Sequence, residues 1–122
     1  MYELKVTTDF AAAHQLKMVA EKCENLHGHN WKLEVRVRGE QLNEAGVVLD
    51  FGELKMHLAT VIGGLDHQFL NELEPFIDSN PSSENISRYV AETLQAAIGD
   101  DRVRVSSVTA WESDNACATY FC

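Results

Sequence analysis

The chain has 122 residues, of which 45% are hydrophobic and 24% charged, and this balance predicts one globular domain over residues 1–122. No apolar run approaches the roughly 18 residues of a membrane-spanning helix, so we expect no membrane insertion. A formal net charge of −9 argues against a nucleic-acid partner, because phosphate backbones are bound by concentrated basic surfaces.

The first predicted strand ends at a histidine. Tyr2, Leu4, Val6, Thr8 and Phe10 alternate with charged or polar residues, and four of these five are apolar, a period of two that indicates a half-buried strand. The strand is expected to run on to His14, so this imidazole stands at a strand end.

A region without periodicity, residues 15–26, follows and is predicted to be a loop that carries Cys23. A second strand comes after it, because apolar and charged residues alternate again from Trp31 to Arg38. Reactive groups are commonly placed on loops held by a rigid framework, so Cys23 is a candidate for chemistry.

Three histidines around this loop predict a zinc site. His27-Gly28-His29 leads into the second strand, and alternate residues of an extended segment point to the same side, so both imidazoles can hold one ion. We expect His14, at the end of the neighbouring strand, to supply the third ligand. Three imidazoles leave one corner of a tetrahedral zinc open, which is the pattern of catalytic sites.

Two helices are predicted in the second half of the chain. Asp50 opens a capping-box pattern ahead of an apolar stripe, which predicts a first helix over about residues 50–63. Ser82 or Ser83 would cap a second, amphipathic helix that ends at Gly99.

The chain closes with two predicted strands, residues 102–111 and 116–122, joined by the short polar connection 112–115. The predicted order is therefore ββααββ, an α+β sandwich with a four-stranded antiparallel sheet and two helices on one face. Such an open sheet has two edges with unpaired backbone groups, and we expect an oligomer joined through these edges.

The cellular location is inferred from the cysteines and the first residues. Three cysteines are an odd number without the spacing of a disulfide framework, which indicates free thiols in a reducing compartment. Residues 1–5 lack the features of a secretory signal. We therefore expect a cytoplasmic protein.

Five motifs occur along the chain: Phe10-Ala-Ala-Ala-His14, Cys23-x-x-x-His27-Gly28-His29, Leu65-Asp66-His67, Asn80-Pro81-Ser82-Ser83-Glu84-Asn85 and Glu112. In this order and on a chain of this length they closely resemble the 6-pyruvoyltetrahydropterin synthase family. The three-residue gap between Cys23 and His27 resembles the bacterial 6-carboxytetrahydropterin synthase branch of queuosine biosynthesis, whereas pyruvoyl-forming relatives usually have a longer gap. Ser82 stands where many relatives carry threonine, and Trp111 where some carry lysine.

The resemblance implies a tunnelling fold, in which subunits of four strands and two helices form trimers around a barrel. Two trimers would stack into a homohexamer. It also implies active sites at subunit interfaces, with Cys23 and zinc of one chain facing Asp66 and His67 of another. Isolated monomers would then be inactive.

The implied substrate is 7,8-dihydroneopterin triphosphate, which the carboxy branch converts to 6-carboxy-5,6,7,8-tetrahydropterin, acetaldehyde and triphosphate. Zinc would act as a Lewis acid on the side-chain hydroxyls, and the Cys23 thiolate would be the base. Asp66 would orient His67 in a proton relay. Glu112 would accept hydrogen bonds from the pterin ring, at an end of the substrate separate from the reaction. No glycine-rich dinucleotide loop indicates a nicotinamide or flavin.

Other interpretations of these residues stay open. Cys23 could be an inert buried thiol, or a fourth zinc ligand that makes the protein a zinc-stabilised, non-catalytic binding module. Asp66 and His67 could simply end a helix, and Glu112 could be a solvated hairpin carboxylate. The alternative activities are the pyruvoyl-forming reaction on the same substrate and a related tunnelling-fold enzyme acting on another pterin or purine.

Overall fold

The computed structural model describes residues 1–18 and 25–122, so Cys23 lies outside the described residues. Within these ranges the elements, in chain order, are β1 (Tyr2–His14), β2 (His27–Gly39), α1 (Phe51–Gly63), β3 (Gln68–Phe69), α2 (Ser83–Ile98), β4 (Arg104–Ser113) and β5 (Ala116–Phe121). Two short 3-10 helices, Leu70–Glu72 and Glu74–Phe76, lie between β3 and α2.

The sheet is mixed and has five strands in the order β3-β1-β2-β4-β5. Neighbouring pairs among β1, β2, β4 and β5 are antiparallel, whereas β3 runs parallel to β1. The prediction of four antiparallel strands in the order ββααββ is therefore wrong in strand number and order, although the α+β class with two helices is confirmed. Strand β3 has only two residues, Gln68 and Phe69, which is too short for a period of two to be visible.

The core consists of side chains from the central strands and from both helices. Four alternate residues of β2 are fully buried: Trp31, Leu33, Val35 and Val37. They belong to one apolar cluster with α1 residues such as Leu54 and Leu58 and with α2 residues such as Ile86, Val90 and Leu94. The apolar residues that alternate in the sequence of β2 therefore point to the sheet face covered by the helices, and the polar residues between them point to the other face.

The helix boundaries follow their caps. Helix α2 begins after Ser82, whose Oγ accepts a hydrogen bond from the Asn85 backbone N–H at 3.2 Å, and it ends at Gly99, which has a left-handed φ of 65°. Helix α1 begins after Asp50, but the Asp50 side chain makes no cap hydrogen bond. The predicted helices are confirmed, and the predicted capping box at Asp50 is wrong.

No helix in the two described ranges combines the length and the apolar character needed to cross a bilayer.

Candidate metal centre and active site

The register of β1 and β2 brings the three predicted histidines together. His14 is the last residue of β1 and pairs with His27, the first residue of β2, and His29 follows two residues later on the same face. The ring centroids of the three imidazoles lie 4.5, 4.7 and 5.1 Å apart. Strand β2 begins at His27 rather than near Trp31, so the His27-Gly28-His29 step is itself extended, as two ligands on one side require.

Glu112 joins this histidine cluster from β4. Its Oε1 lies 2.8 Å from Nε2 of His29, 3.4 Å from Nε2 of His14 and 3.8 Å from Nε2 of His27. One ligand atom from each of the four residues falls within 4.8 Å of all the others. Glu112 lies beside the histidines because the pairing of Trp111 with β2 carries the next residue there. Its predicted role toward the pterin ring stays a prediction.

Backbone carbonyls fix the tautomers of two imidazoles. Nδ1 of His14 lies 2.8 Å from the Pro81 carbonyl oxygen, and Nδ1 of His27 lies 2.7 Å from that of Asn25. Carbonyl oxygens only accept, so each Nδ1 carries the hydrogen, and in the neutral ring each Nε2 presents a lone pair. These two Nε2 atoms are only 2.9 Å apart, an arrangement that calls for a proton or a cation between them.

His29 supplies a third nitrogen suited to a cation. Its Nε2 is buried and has no assigned hydrogen-bond partner in the described part of the chain, although Glu112 Oε1 lies 2.8 Å away. Burial lowers the pKa of His29, and His14 and His27 act in the same direction, whereas Glu112 opposes the shift. The imidazole is therefore neutral at neutral pH, which is the form that ligates metals.

The cluster has the dimensions of a zinc site. A tetrahedron with metal–nitrogen distances of about 2.0–2.1 Å has edges of about 3.3 Å. Four of the six separations between the ligand atoms, from 2.8 to 3.8 Å, bracket that length, and all six are within 4.8 Å. Three imidazoles and one carboxylate can therefore hold a metal ion and are compatible with zinc. The predicted place of Cys23 opposite the metal falls on residues outside the described ranges, so that role stays a prediction.

The Asp66–His67 pair lies on the turn before β3. Asp66 Oδ1 accepts a hydrogen bond from the Ala11 backbone N–H at 2.9 Å, and its Oδ2 lies 3.0 Å from His67 Nδ1. The Ala11 hydrogen bond, followed by that of His67, lowers the pKa of Asp66. His67 has a left-handed φ of 59°, and its side chain is 81% exposed. The two side chains thus touch, as a relay requires, and the imidazole faces outward.

Two cavities differ in their relation to these residues. A shallow one of about 520 Å³ is lined by both His29 and His67, together with residues such as Gly28 and Phe69. A larger one of about 940 Å³ lies at the opposite end of the sheet, around Arg38. Only the smaller cavity touches predicted site residues, which makes it the candidate substrate cavity within one chain.

The structure is thus an α+β fold with a mixed sheet, two helices and a histidine–carboxylate cluster at its strand ends that could hold a metal ion. The chain belongs to the 6-pyruvoyl tetrahydropterin synthase family, whose sequence model matches residues 3–122. It is thus an enzyme of a pterin synthase family, as its motifs predict.

Proteins similar to this chain in sequence or structure are named for different activities. It is 35% identical over 117 residues to a 6-carboxy-5,6,7,8-tetrahydropterin synthase of Synechocystis, covering 92% of this chain and 87% of the relative. It is 38% identical over 105 residues to a dihydroneopterin monophosphate aldolase of Pyrococcus furiosus, covering 86% and 84%. The solved structure of Caenorhabditis elegans 6-pyruvoyl tetrahydropterin synthase superposes with a TM-score of 0.87 at 27% identity, covering 99% and 95%.

Proposed function

We propose that this protein is a zinc-dependent 6-carboxy-5,6,7,8-tetrahydropterin synthase. It converts 7,8-dihydroneopterin triphosphate to 6-carboxytetrahydropterin, acetaldehyde and triphosphate, as a step of queuosine biosynthesis in the cytoplasm. The observation that carries the proposal is the convergence of the three imidazoles with Glu112. The likeness to the Synechocystis enzyme and the short gap between Cys23 and His27 favour the carboxy branch.

His14, His27 and His29 are the proposed zinc ligands, and Glu112 would be a fourth ligand in the absence of substrate. Bound zinc would supply Lewis acidity to the side-chain hydroxyls of the pterin. Because Glu112 lies beside all three imidazoles, its carboxylate would have to turn away for substrate hydroxyls to reach the zinc. It is then available to accept hydrogen bonds from the pterin ring, which is the role that the sequence suggests for it.

Asp66 and His67 are the proposed proton relay. The lowered pKa of Asp66 keeps the carboxylate ionised, so it can only accept, and Nδ1 of His67 must carry the hydrogen. Nε2 of His67 is consequently the atom that exchanges a proton with the substrate. Cys23 is the proposed base, and zinc held close to it would favour its thiolate.

The proposed active form is a homohexamer built as a dimer of trimers. Within the described residues, no strand pairs with the outer edge of β5, or with the edge of β1 opposite β2 ahead of Ala12. Apolar side chains stand on both edges, where Tyr2 is 49% and Phe121 75% exposed. Edges of this kind pair readily with another chain, which supports assembly through strands.

A second candidate is an aldolase acting on dihydroneopterin monophosphate. The Pyrococcus furiosus relative with that name is 38% identical to this chain. The same residues suit it, because a metal that polarises a hydroxyl and a base that removes its proton also promote retro-aldol cleavage. The two candidates differ in whether a triphosphate group is eliminated.

Product analysis separates these activities. Zinc-loaded protein is incubated with 7,8-dihydroneopterin triphosphate and, separately, with the monophosphate. Acetaldehyde and triphosphate from the first substrate support the carboxy branch, whereas a pyruvoyl product without acetaldehyde indicates the other branch. Cleavage of the monophosphate to a phosphorylated two-carbon aldehyde indicates the aldolase.

The Cys23→Ala variant tests the binding-module interpretation. If Cys23 is the base, the variant keeps its zinc and loses turnover. If Cys23 is a structural ligand, zinc and folded structure are lost together. Cys117→Ala is the matched control, because this thiol on β5 is exposed, and it is expected to leave both zinc and turnover unchanged.

A further inference from the structure

One edge of β1 remains paired beyond the end of the strand. In an extended chain the peptide N–H and C=O groups of every second residue point to the same side. At Ala11 these groups bond to Asp66 Oδ1 and to the His67 N–H, and next along the edge β3 pairs with Ala12 and Ala13.

Beyond the end of β1, two asparagine side chains make the hydrogen bonds that a neighbouring strand would make. The Gln15 N–H donates to Asn71 Oδ1 at 2.9 Å, and Asn71 Nδ2 donates to the Gln15 carbonyl at 2.6 Å. Lys17 makes the same pair of bonds with Asn80, at 2.8 and 2.7 Å. A primary amide carries its donor and its acceptor on two separate atoms, so it imitates the peptide of a neighbouring strand. A carboxylate only accepts, and a hydroxyl has a single oxygen for both bonds.

The segment that contains the second asparagine is hydrogen-bonded to the histidine–carboxylate cluster and to α2. Asn80 is followed by Pro81, whose carbonyl accepts the Nδ1 hydrogen of His14. The backbone carbonyl of Asn80 accepts a hydrogen bond from Asn85 Nδ2 at 2.8 Å, in the first turn of α2. The same short segment therefore holds the ring of His14 and the backbone of Lys17.

We propose that Asn71 and Asn80 are positioning residues, which hold residues 15–17 as an extension of β1. They thereby fix His14 in the histidine–carboxylate cluster. They also fix the point from which the chain continues toward Cys23, six residues beyond Lys17 in the sequence. As a statement about catalysis, this rests on the proposed lyase function.

The test uses zinc-loaded Asn71→Ala and Asn80→Ala proteins. Asn43→Ala is the matched control, because Asn43 bonds the N–H groups of Ala45 and Val47 in an exposed turn away from the cluster. Amide hydrogen exchange measured by NMR should become about tenfold faster at Gln15 in the first variant and at Lys17 in the second. The Ala11 amide, held by Asp66, should be unchanged in both and serves as the internal reference.

Two further measurements distinguish an effect on the position of His14 from a purely local structural effect. At saturating zinc we expect kcat to fall about tenfold with KM changed by less than about threefold, since alignment rather than binding is impaired. Zinc release to a chelator should be about tenfold faster, because His14 is held less firmly. Asn43→Ala should match the wild type in every measurement.

The proposal is overturned if exchange at Gln15 and Lys17 is unchanged. It is also overturned if exchange rises while kcat and zinc release stay at wild-type values, or if Ala11 loses protection equally, since either result means a purely structural role. If the wild-type protein turns over neither pterin, the proposed lyase function fails by itself. Zinc release then decides whether the two asparagines position His14.

Discussion

Glu112 lies in contact with the histidines, and its removal should weaken the proposed metal site. Glu112→Ala is expected to raise the dissociation constant for zinc by about 10–100-fold, because an anionic oxygen is lost from the cluster. Glu112→Gln, which keeps one oxygen acceptor, should have a smaller effect. Competition with a chromophoric chelator measures this, and Asp114→Ala, in the adjacent turn, is the control. Equal affinities in wild type and Glu112→Ala would refute ligation by this carboxylate.

Asp66 should make folding stability depend on pH in the acid range. Its pKa is lowered from the ordinary 3.8, first by the Ala11 hydrogen bond, so the folded protein binds protons less readily than the unfolded chain. The stabilisation is complete above pH 3.8 and is lost as pH falls through the lower folded pKa. Denaturant unfolding of wild type and Asp66→Asn between neutral pH and about pH 2 should therefore converge at the acid end. A difference independent of pH would contradict this assignment.

The three histidines of the candidate metal site could be predicted from the sequence. The hydrogen bonds and strand register that hold the site together could not. His14, His27 and His29 are visible because ligand spacing and strand periodicity are local properties of the sequence. The hydrogen bond from His14 to Pro81 joins residues 67 positions apart, and nothing near either residue indicates it. The position of Glu112 depends likewise on the register of β4 against β2, which a periodic pattern leaves undetermined.

At the scale of elements, the start of α2 provides a stability test. Ser82→Ala removes the acceptor for the Asn85 N–H and should lower the free energy of unfolding by about 1 kcal/mol. Ser83→Ala is the matched control, because Ser83 is the first residue inside the helix and its hydroxyl makes no cap bond, so its effect should be near zero. Urea denaturation measures both. Equal losses in the two variants would show that the Ser82 cap contributes nothing specific.

Helices and strands with a long periodic pattern could be predicted, whereas β3, which is defined only by its pairing with β1, could not. The alternation in β1 and β2 and the apolar stripes of α1 and α2 each extend over many residues, so local errors average out. Strand β3 exists through its bonds to Ala12 and Ala13, and its own two residues carry no pattern. Asp50 has the spacing of a capping box without the bond, because spacing does not fix the side-chain rotamer.

At the scale of the whole molecule, the exposed edge of β5 should join subunits. Light scattering coupled to size-exclusion chromatography is expected to give about 82 kDa, which is six copies of 13.7 kDa. Phe121→Lys places a charge on the open edge and should shift the mass toward the monomer. Phe51→Lys changes an exposed phenylalanine at the start of α1, away from the open strand edges, and should leave the mass unchanged. A wild-type mass of 13.7 kDa would disprove the hexamer.

Trp31 gives the metal centre an intrinsic optical reporter. Its indole is fully buried, and its ring lies edge-on to His14 at 5.1 Å and to His29 at 5.4 Å. Occupation of the cluster should therefore change the fluorescence of this indole, and a paramagnetic ion such as cobalt or copper should quench it. In a Trp111→Phe background the emission comes from Trp31 alone, so metal loading can be followed by light without substrate.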